Sequence, residues 1–212
     1  MWTIAAGGSE TQALFEPATG GEARALFICA PGAGGEMNDR QMQRTAAALR
    51  AIGLDVVRFN FLYRERGSRR PDPMPKLREC YAAVVDRVRQ EVGRRPLILG
   101  GRSMGGRVAT MLAGDGFACD ALLLFAYPLH PAGEPEKLRD AHLPRISVPV
   151  LCFNGTRDAL CRRDLMERAL ENVKAPWCMH WIEGADHSLK GEQAMNEIAA
   201  TVANWLLLQP LP

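Results

Sequence analysis

The chain has 212 residues, 47% of them hydrophobic and 24% charged, with 26 Lys and Arg against 24 Asp and Glu for a formal net charge of +2. That supplies the apolar material for one sizeable core and leaves no room for a second, so a single domain over residues 1–212 is expected, and the near-neutral charge argues against nucleic acid as a partner. No run is long enough to span a membrane, and Met1 to Gly8 lacks the basic region and apolar run of a signal peptide, so a cytoplasmic address with no membrane partner is expected.

Residues 11–15 form a strand-like stretch closed by Glu16-Pro17-Ala18-Thr19-Gly20-Gly21, which predicts the start of a hairpin. Ala25-Leu26-Phe27-Ile28-Cys29 is a continuous apolar run, the pattern of a strand covered on both faces, and it leads into the glycine-rich Pro31-Gly32-Ala33-Gly34-Gly35. Met42, Ala46, Leu49 and Ile52 recur at helical spacing, with Asn38 or Asp39 as cap and Gly53 as stop, before residues 56–61 return to a strand pattern. A polar stretch over 63–75 follows, and then Leu77, Tyr81, Val84, Val85, Val88 and Val92 form one face of a long helix ended by Gly93. Residues 95–99 predict a buried strand, and Val108 to Ala113 a small-residue helix ending near Gly114. Residues 121–125 and 150–153 predict further strands, Leu165, Ala169 and Leu170 a short helix, 178–182 a last strand, and Ile198, Val202, Trp205 and Leu206 a C-terminal helix. Strands alternating with helices predict an α/β fold with a mostly parallel central sheet and helices on both faces. The cysteines at 29, 80, 119, 152, 161 and 178 include no C-x-x-C pair and are expected to be reduced core residues, with neither a disulfide frame nor a metal site.

In such a sheet, ligands collect at the carboxyl ends of the strands, so the residues after each apolar run are where chemistry is expected. Gly101-Arg102-Ser103-Met104-Gly105 fits G-x-S-x-G, which seats a serine on a tight strand-to-helix turn; Gly101, Gly105 and Gly106 remove side chains that would collide across it. A serine hydroxyl is a weak nucleophile at neutral pH. It needs a base, and an imidazole base needs an acceptor to fix its tautomer. Asp158, after the strand 150–153, is the preferred acid over Asp164 in the next helix and Asp186 beside the best histidine; its other reading is an Asx residue shaping its turn. His187 lies in a loop just past the last strand, whereas His180 falls inside that strand and His130 and His142 precede the acid. The backbone amides of Met104 and Ala33, with Gly34 as the alternative to Ala33, are expected to hold a developing oxyanion. The other reading of the 31–35 loop, a phosphate cradle, lacks both G-x-x-x-x-G-K-[ST] and G-x-G-x-x-G. This chemistry requires no cofactor.

Three stretches, Gly101-Arg102-Ser103-Met104-Gly105-Gly106-Arg107, Tyr127-Pro128-Leu129-His130-Pro131 and Asp186-His187-Ser188-Leu189-Lys190, resemble the α/β-hydrolase family, and within it a small dienelactone-hydrolase-related group of bacterial members. The resemblance covers nearly the whole chain and implies the α/β-hydrolase fold with Ser103, Asp158 and His187 as its triad. The group also resembles a testis-expressed vertebrate protein and the hydrolase-like part of a chromatin acetyltransferase-complex subunit, which makes partner binding on this fold the rival to catalysis. Larger members insert a cap between the strand after the elbow helix and the acid-bearing strand. Here residues 126–149 are too few for a helical cap domain, so an open site without interfacial activation is expected.

The expectation is therefore a cytoplasmic serine hydrolase acting on a small or medium carboxylic ester or thioester through an acyl-enzyme, with acyl transfer or a non-catalytic binding module as alternatives. Arg64, Arg66, Arg69 and Arg70 follow a strand and are candidates to attract a carboxylate- or phosphate-bearing substrate; in the other reading they pair with nearby acids. Tyr127 and Leu129 are candidates for the pocket wall, and packing would account for them equally.

Overall fold

The long apolar runs become strands because only a strand covered on both faces can bury every residue it contains. In the computed structural model, which describes residues 1–209 and 211, the order is β1 (Trp2–Ala6), β2 (Ser9–Glu16), β3 (Ala25–Ala30), α1 (Arg40–Ala51), β4 (Leu54–Phe59), α2 (Leu62–Glu65), α3 (Met74–Val92), β5 (Leu97–Arg102), α4 (Met104–Gly114), β6 (Ala121–Phe125), β7 (Val150–Gly155), α5 (Arg163–Leu170), β8 (Trp177–Ile182) and α6 (Glu192–Leu208). All residues of β3, β4, β6 and β7 are buried. The eight strands form one sheet in the order β1-β2-β4-β3-β5-β6-β7-β8, parallel from β4 to β8 and antiparallel where β1 and β2 join.

Period-two alternation sends successive side chains of each strand to opposite faces. Leu26, Ile28, Leu99, Leu122 and Leu124 pack on one face with Tyr81 and Val84 of α3, Val108 and Leu112 of α4, and Leu165 of α5. Phe27, Cys29, Ile98, Leu123 and Phe153 pack on the other with Met42 and Leu49 of α1 and Ile198 and Trp205 of α6. The expected architecture of a mostly parallel sheet with helices on both faces is what forms. Between β6 and β7, residues 126–149 hold only a 3-10 turn at Leu143–Arg145, so no cap domain covers the sheet edge.

Three local expectations change. The stretch at 11–15 is the second arm of a hairpin and not its first: β1 pairs with β2 around Gly7 and Gly8, both at positive φ, and the turn-rich 16–21 segment instead leads on to β3. Tyr63 to Glu65 of the polar stretch belongs to the one-turn helix α2, whose Leu62 and Tyr63 are buried in the core. Cys29, Cys80, Cys152 and Cys161 are core residues, but Cys119 is half-buried and Cys178 is exposed, because β8 is an edge strand with one face turned outward. All six thiols are free.

Candidate active site

Three parallel strands end together where Ser103, Asp158 and His187 meet. Ser103 joins β5 to α4 at φ 47° and ψ −115°, a left-handed conformation that an L side chain adopts only under constraint. The constraint is visible on both sides: Ser103 N–H donates to the Phe125 carbonyl at 2.8 Å, and its own carbonyl accepts from Arg107 N–H at 3.0 Å. Gly101, at φ 137°, has no space for a Cβ because the Ala30 backbone fills it, and a Cβ at Gly105 would lie 2.5 Å from the Ala30 carbonyl oxygen. The glycine requirement read from the motif is thus a close approach of β3 and its following loop to the elbow. Tyr81, fully buried on α3, pins the strand just before it: its hydroxyl accepts from Gly100 N–H at 2.8 Å and faces the Ile28 and Gly100 carbonyls at 2.7 Å each. Burial holds that phenol well above its ordinary pKa and hence neutral.

Ser103 Oγ lies 2.9 Å from His187 Nε2, and His187 Nδ1 lies 2.9 Å from each carboxylate oxygen of Asp158. An ionised carboxylate only accepts, so Nδ1 carries the ring proton and Nε2 is bare toward the serine. The Asp158 side chain has no solvent exposure. Its oxygens also accept from Leu160 N–H at 2.8 Å and Asn154 Nδ2 at 3.0 Å, and Asn154 is itself locked to the Tyr127 backbone through both amide atoms.

The His187 loop is tied down by two arginines. Arg102 donates to the His187 carbonyl at 2.7 Å, and Arg157 donates to the Gly184 carbonyl at 2.7 Å. Burial lowers the Arg102 pKa, and Asp158 leads the charges that oppose the shift.

The alternative acids and bases have other partners. Asp186 is exposed and accepts from the Ser188 amide and hydroxyl, and Asp164 pairs with Arg162. His180 meets Glu197 at 2.7 Å; His130 bridges the Pro131 carbonyl and Arg162 N–H; His142 is buried against Thr110.

In the loop after β3, Gly34 N–H donates to Tyr63 Oη at 3.0 Å, Gly35 N–H to the Gly32 carbonyl, Glu36 N–H to Asp39 and Met37 N–H to Asn60. Among the described residues these amides are committed, and those of Ala33 and Met104 are not. Ala33 and Met104 both line the cleft of about 480 Å³ that contains Ser103. Met104 stands at the positive end of α4. A wider hollow of about 890 Å³ lies at the opposite, amino-terminal edge of the strands, around Arg94 and Pro96, away from these groups.

The other residues singled out in the sequence lie elsewhere. Arg64 pairs with Glu36 at 2.9 Å and Arg66 with Asp72 at 2.6 Å, Arg69 and Arg70 are exposed, and none of the four lines the cleft. Tyr127 and Leu129 are fully buried behind the wall, whose surface is made by their neighbours Pro128 and Pro131. Of the groups that sequence reasoning passed over, Tyr81, Arg102 and Arg157 hold the backbone of the site, and Asn154 ties the Asp158 carboxylate to the Tyr127 backbone. Only Arg102, inside the motif itself, and Asn154, at the mouth of β7, carried any positional signal. Among the described residues no cluster of His, Cys, Asp and Glu is suited to a metal ion.

A parallel sheet carrying a serine elbow, with an acid and a histidine on its neighbouring edges, defines an α/β-hydrolase. The chain belongs to that family: the family model described as an alpha/beta hydrolase domain matches residues 23–205. Solved structures agree on the fold. Est1E from Butyrivibrio proteoclasticus, with ferulic acid bound, aligns with TM-score 0.81 at 18% identity over 99% of each chain. A dienelactone hydrolase from Anabaena variabilis gives 0.78 at 19%, covering 100% of this chain and 97% of its own. A lidless serine hydrolase from Xanthomonas campestris gives 0.77 at 20%, covering 100% and 94%.

Proposed function

We propose that the protein is a serine hydrolase that cleaves a small or medium carboxylic ester or thioester through an acyl-enzyme, with Ser103 as nucleophile, His187 as base and Asp158 as its orienting acid. The observation that carries this reading is the unbroken line of contacts from Ser103 Oγ through His187 to the buried Asp158, each 2.9 Å long. His187 Nε2 takes the hydroxyl proton as Oγ bonds to the carbonyl carbon, and the charge on the carbonyl oxygen falls to the amides of Ala33 and Met104. Nε2 then returns the proton to the departing oxygen or sulfur as its bond to carbon breaks. Water enters by the same route in reverse and restores the free hydroxyl. The dienelactone hydrolase and the ferulate-bound protein among the structural relatives support ester chemistry on this fold. Six unpaired thiols support a reducing, cytoplasmic setting.

Labelling by a fluorophosphonate probe, followed by a panel of p-nitrophenyl esters, tests the reading. Label should be incorporated by the native chain and lost in Ser103→Ala and His187→Ala, with turnover falling by roughly three or more orders of magnitude in either variant. A folded native chain that neither labels nor turns over any ester would leave the binding-module alternative in its place.

A further inference from the structure

Five arginines around this edge of the sheet have acceptors: Arg64 has Glu36, Arg66 has Asp72, Arg102 the His187 carbonyl, Arg157 the Gly184 carbonyl and Arg162 Asp164, while Arg69 and Arg70 are exposed to water outside the cleft. Arg107 and Arg139 differ. Both are half-buried and both line the Ser103 cleft, yet among the described residues neither guanidinium has an ion-pair or hydrogen-bond partner. The Arg107 Nε is withdrawn from solvent with no acceptor. Arg64, Arg78 and Arg87 also have a bare buried Nε, but a carboxylate neutralises each of them, Glu36, Asp115 and Glu91 respectively.

The one acid on the cleft wall, Asp72, is taken by Arg66. Behind Arg107 stands His142, which burial keeps neutral by lowering its pKa to about 4. Burial also lowers the Arg107 pKa, and the Arg139 charge lowers it further. Two like charges on one wall, neither ion-paired and one of them with a nitrogen withdrawn from water, form an arrangement that an entering anion relieves. A guanidinium matches the two oxygens of such an anion with paired donors.

Position ties this cradle to the chemistry. Arg107 follows Ser103 by four residues on α4, about 6 Å along the helix axis at the usual rise. Its side chain therefore meets a substrate group a few bonds away from the carbonyl that Ser103 attacks.

We infer that Arg107 and Arg139 hold an oxyanion on the substrate, so that the preferred ester or thioester carries a carboxylate or phosphate-type group a short chain away from its scissile carbonyl. This rests on the assignment of Ser103 as nucleophile. The test compares three p-nitrophenyl esters of matched length: the monoester of glutarate, its neutral methyl-capped form, and the ester of γ-phosphonobutyrate.

Hydrogen bonds to charged groups predict that kcat/KM for an anionic ester exceeds that for the neutral one by at least about tenfold, and that the ratio falls by roughly ten- to a hundredfold in Arg107→Gln and in Arg139→Gln, mainly through KM. Whichever anion shows the larger ratio identifies the source. Taking the ratio within each variant cancels any loss of folded protein. A ratio near one in the native chain overturns the inference, as does a ratio unchanged in both variants, or one that falls instead in Arg69→Gln and Arg70→Gln.

Calorimetry on Ser103→Ala reads the cradle without turnover. Monomethyl glutarate should bind more tightly than dimethyl glutarate, and that preference should vanish with Arg107→Gln; equal affinities refute the cradle. Ser103-dependent cleavage of the neutral ester without anion preference removes this inference and leaves the hydrolase reading standing. Selective anion binding with no turnover by the native chain leaves only an anion cradle at Arg107 and Arg139 and overturns the hydrolase reading together with the ester preference.

Discussion

Replacing Asp158 with asparagine keeps the shape of the side chain and removes one acceptor and the charge. In the structure three donors converge on that carboxylate: Leu160 N–H on Oδ1, Asn154 Nδ2 on Oδ2, and His187 Nδ1 equidistant from both oxygens at 2.9 Å. An amide has one acceptor oxygen, so in either orientation its NH2 opposes the Leu160 amide or the Asn154 amide, a loss of about 1–3 kcal/mol in stability for a buried donor left unpaired. The same NH2 lies against Nδ1. The ring then favours a bare Nδ1 and a protonated Nε2, and Nε2–H faces Ser103 as a donor where an acceptor is needed. The loss of tautomer and charge together should lower kcat/KM by about 10³–10⁴, which is roughly 4–5.5 kcal/mol of transition-state stabilisation. Hydrolysis of p-nitrophenyl butyrate and the rate of fluorophosphonate labelling both read it, with circular dichroism to establish that the variant is folded. Asp186→Asn is the paired control: its carboxylate is exposed and turned to Ser188, so its rate should stay within a small factor of the native one. A folded Asp158→Asn protein with more than a tenth of native activity would refute the assignment of that carboxylate, most sharply if Asp186→Asn were the slower of the two.

Arg102→Met removes the donor that anchors the His187 carbonyl, and because it touches the loop and not the reacting atoms it should lower kcat by about tenfold while leaving KM nearly unchanged; an equal effect on KM would place Arg102 against the substrate instead. Tyr81→Phe strips a buried hydroxyl from Gly100 N–H and two carbonyls, for a loss of about 1–3 kcal/mol, and for a chain of this size each kcal/mol lowers Tm by roughly 2–4 °C. An unchanged melting curve would mean that those backbone groups find other partners.

His142 supplies a pH dependence of stability. Its pKa is lowered to about 4, first by burial and then by Arg107 and Arg145, against the opposing charges of Asp115 and Asp140. A base whose folded pKa lies below its unfolded value binds its proton more readily when unfolded. Its contribution is therefore complete above about pH 6.5 and is lost as pH falls toward 4. Urea melts across that window should show a shallower decline for His142→Gln than for the native chain, and identical slopes would rule this histidine out as the cause.

Much of the fold is legible in the pattern of residues. The fully apolar runs at 25–29, 121–125 and 150–153 can satisfy their side chains only as strands covered on both sides, and the 3.6-residue spacing at 42–52 and 77–92 specifies helices to cover them. The hairpin was harder to place, because Trp2 to Ala6 lacks a continuous apolar signal: only Ile4 and Ala6 of β1 are buried. The Ser103 elbow was legible for a steric reason, since the local glycines make room for the Ala30 backbone and so mark the approach of another strand.

Hydrophobic period and turn chemistry are local, so residue order alone specifies the set of elements, their alternation, and the succession of a serine, an acid and a histidine along the chain. Which arginines meet acceptors and which face the cleft is settled when the chain is folded. The guanidiniums at 64 and 66 find Glu36 and Asp72, while Arg107 and Arg139, 32 positions apart in sequence, come to one wall without an ion-pair partner. Charge pairing depends on distances across the fold, and a linear pattern carries no such distances.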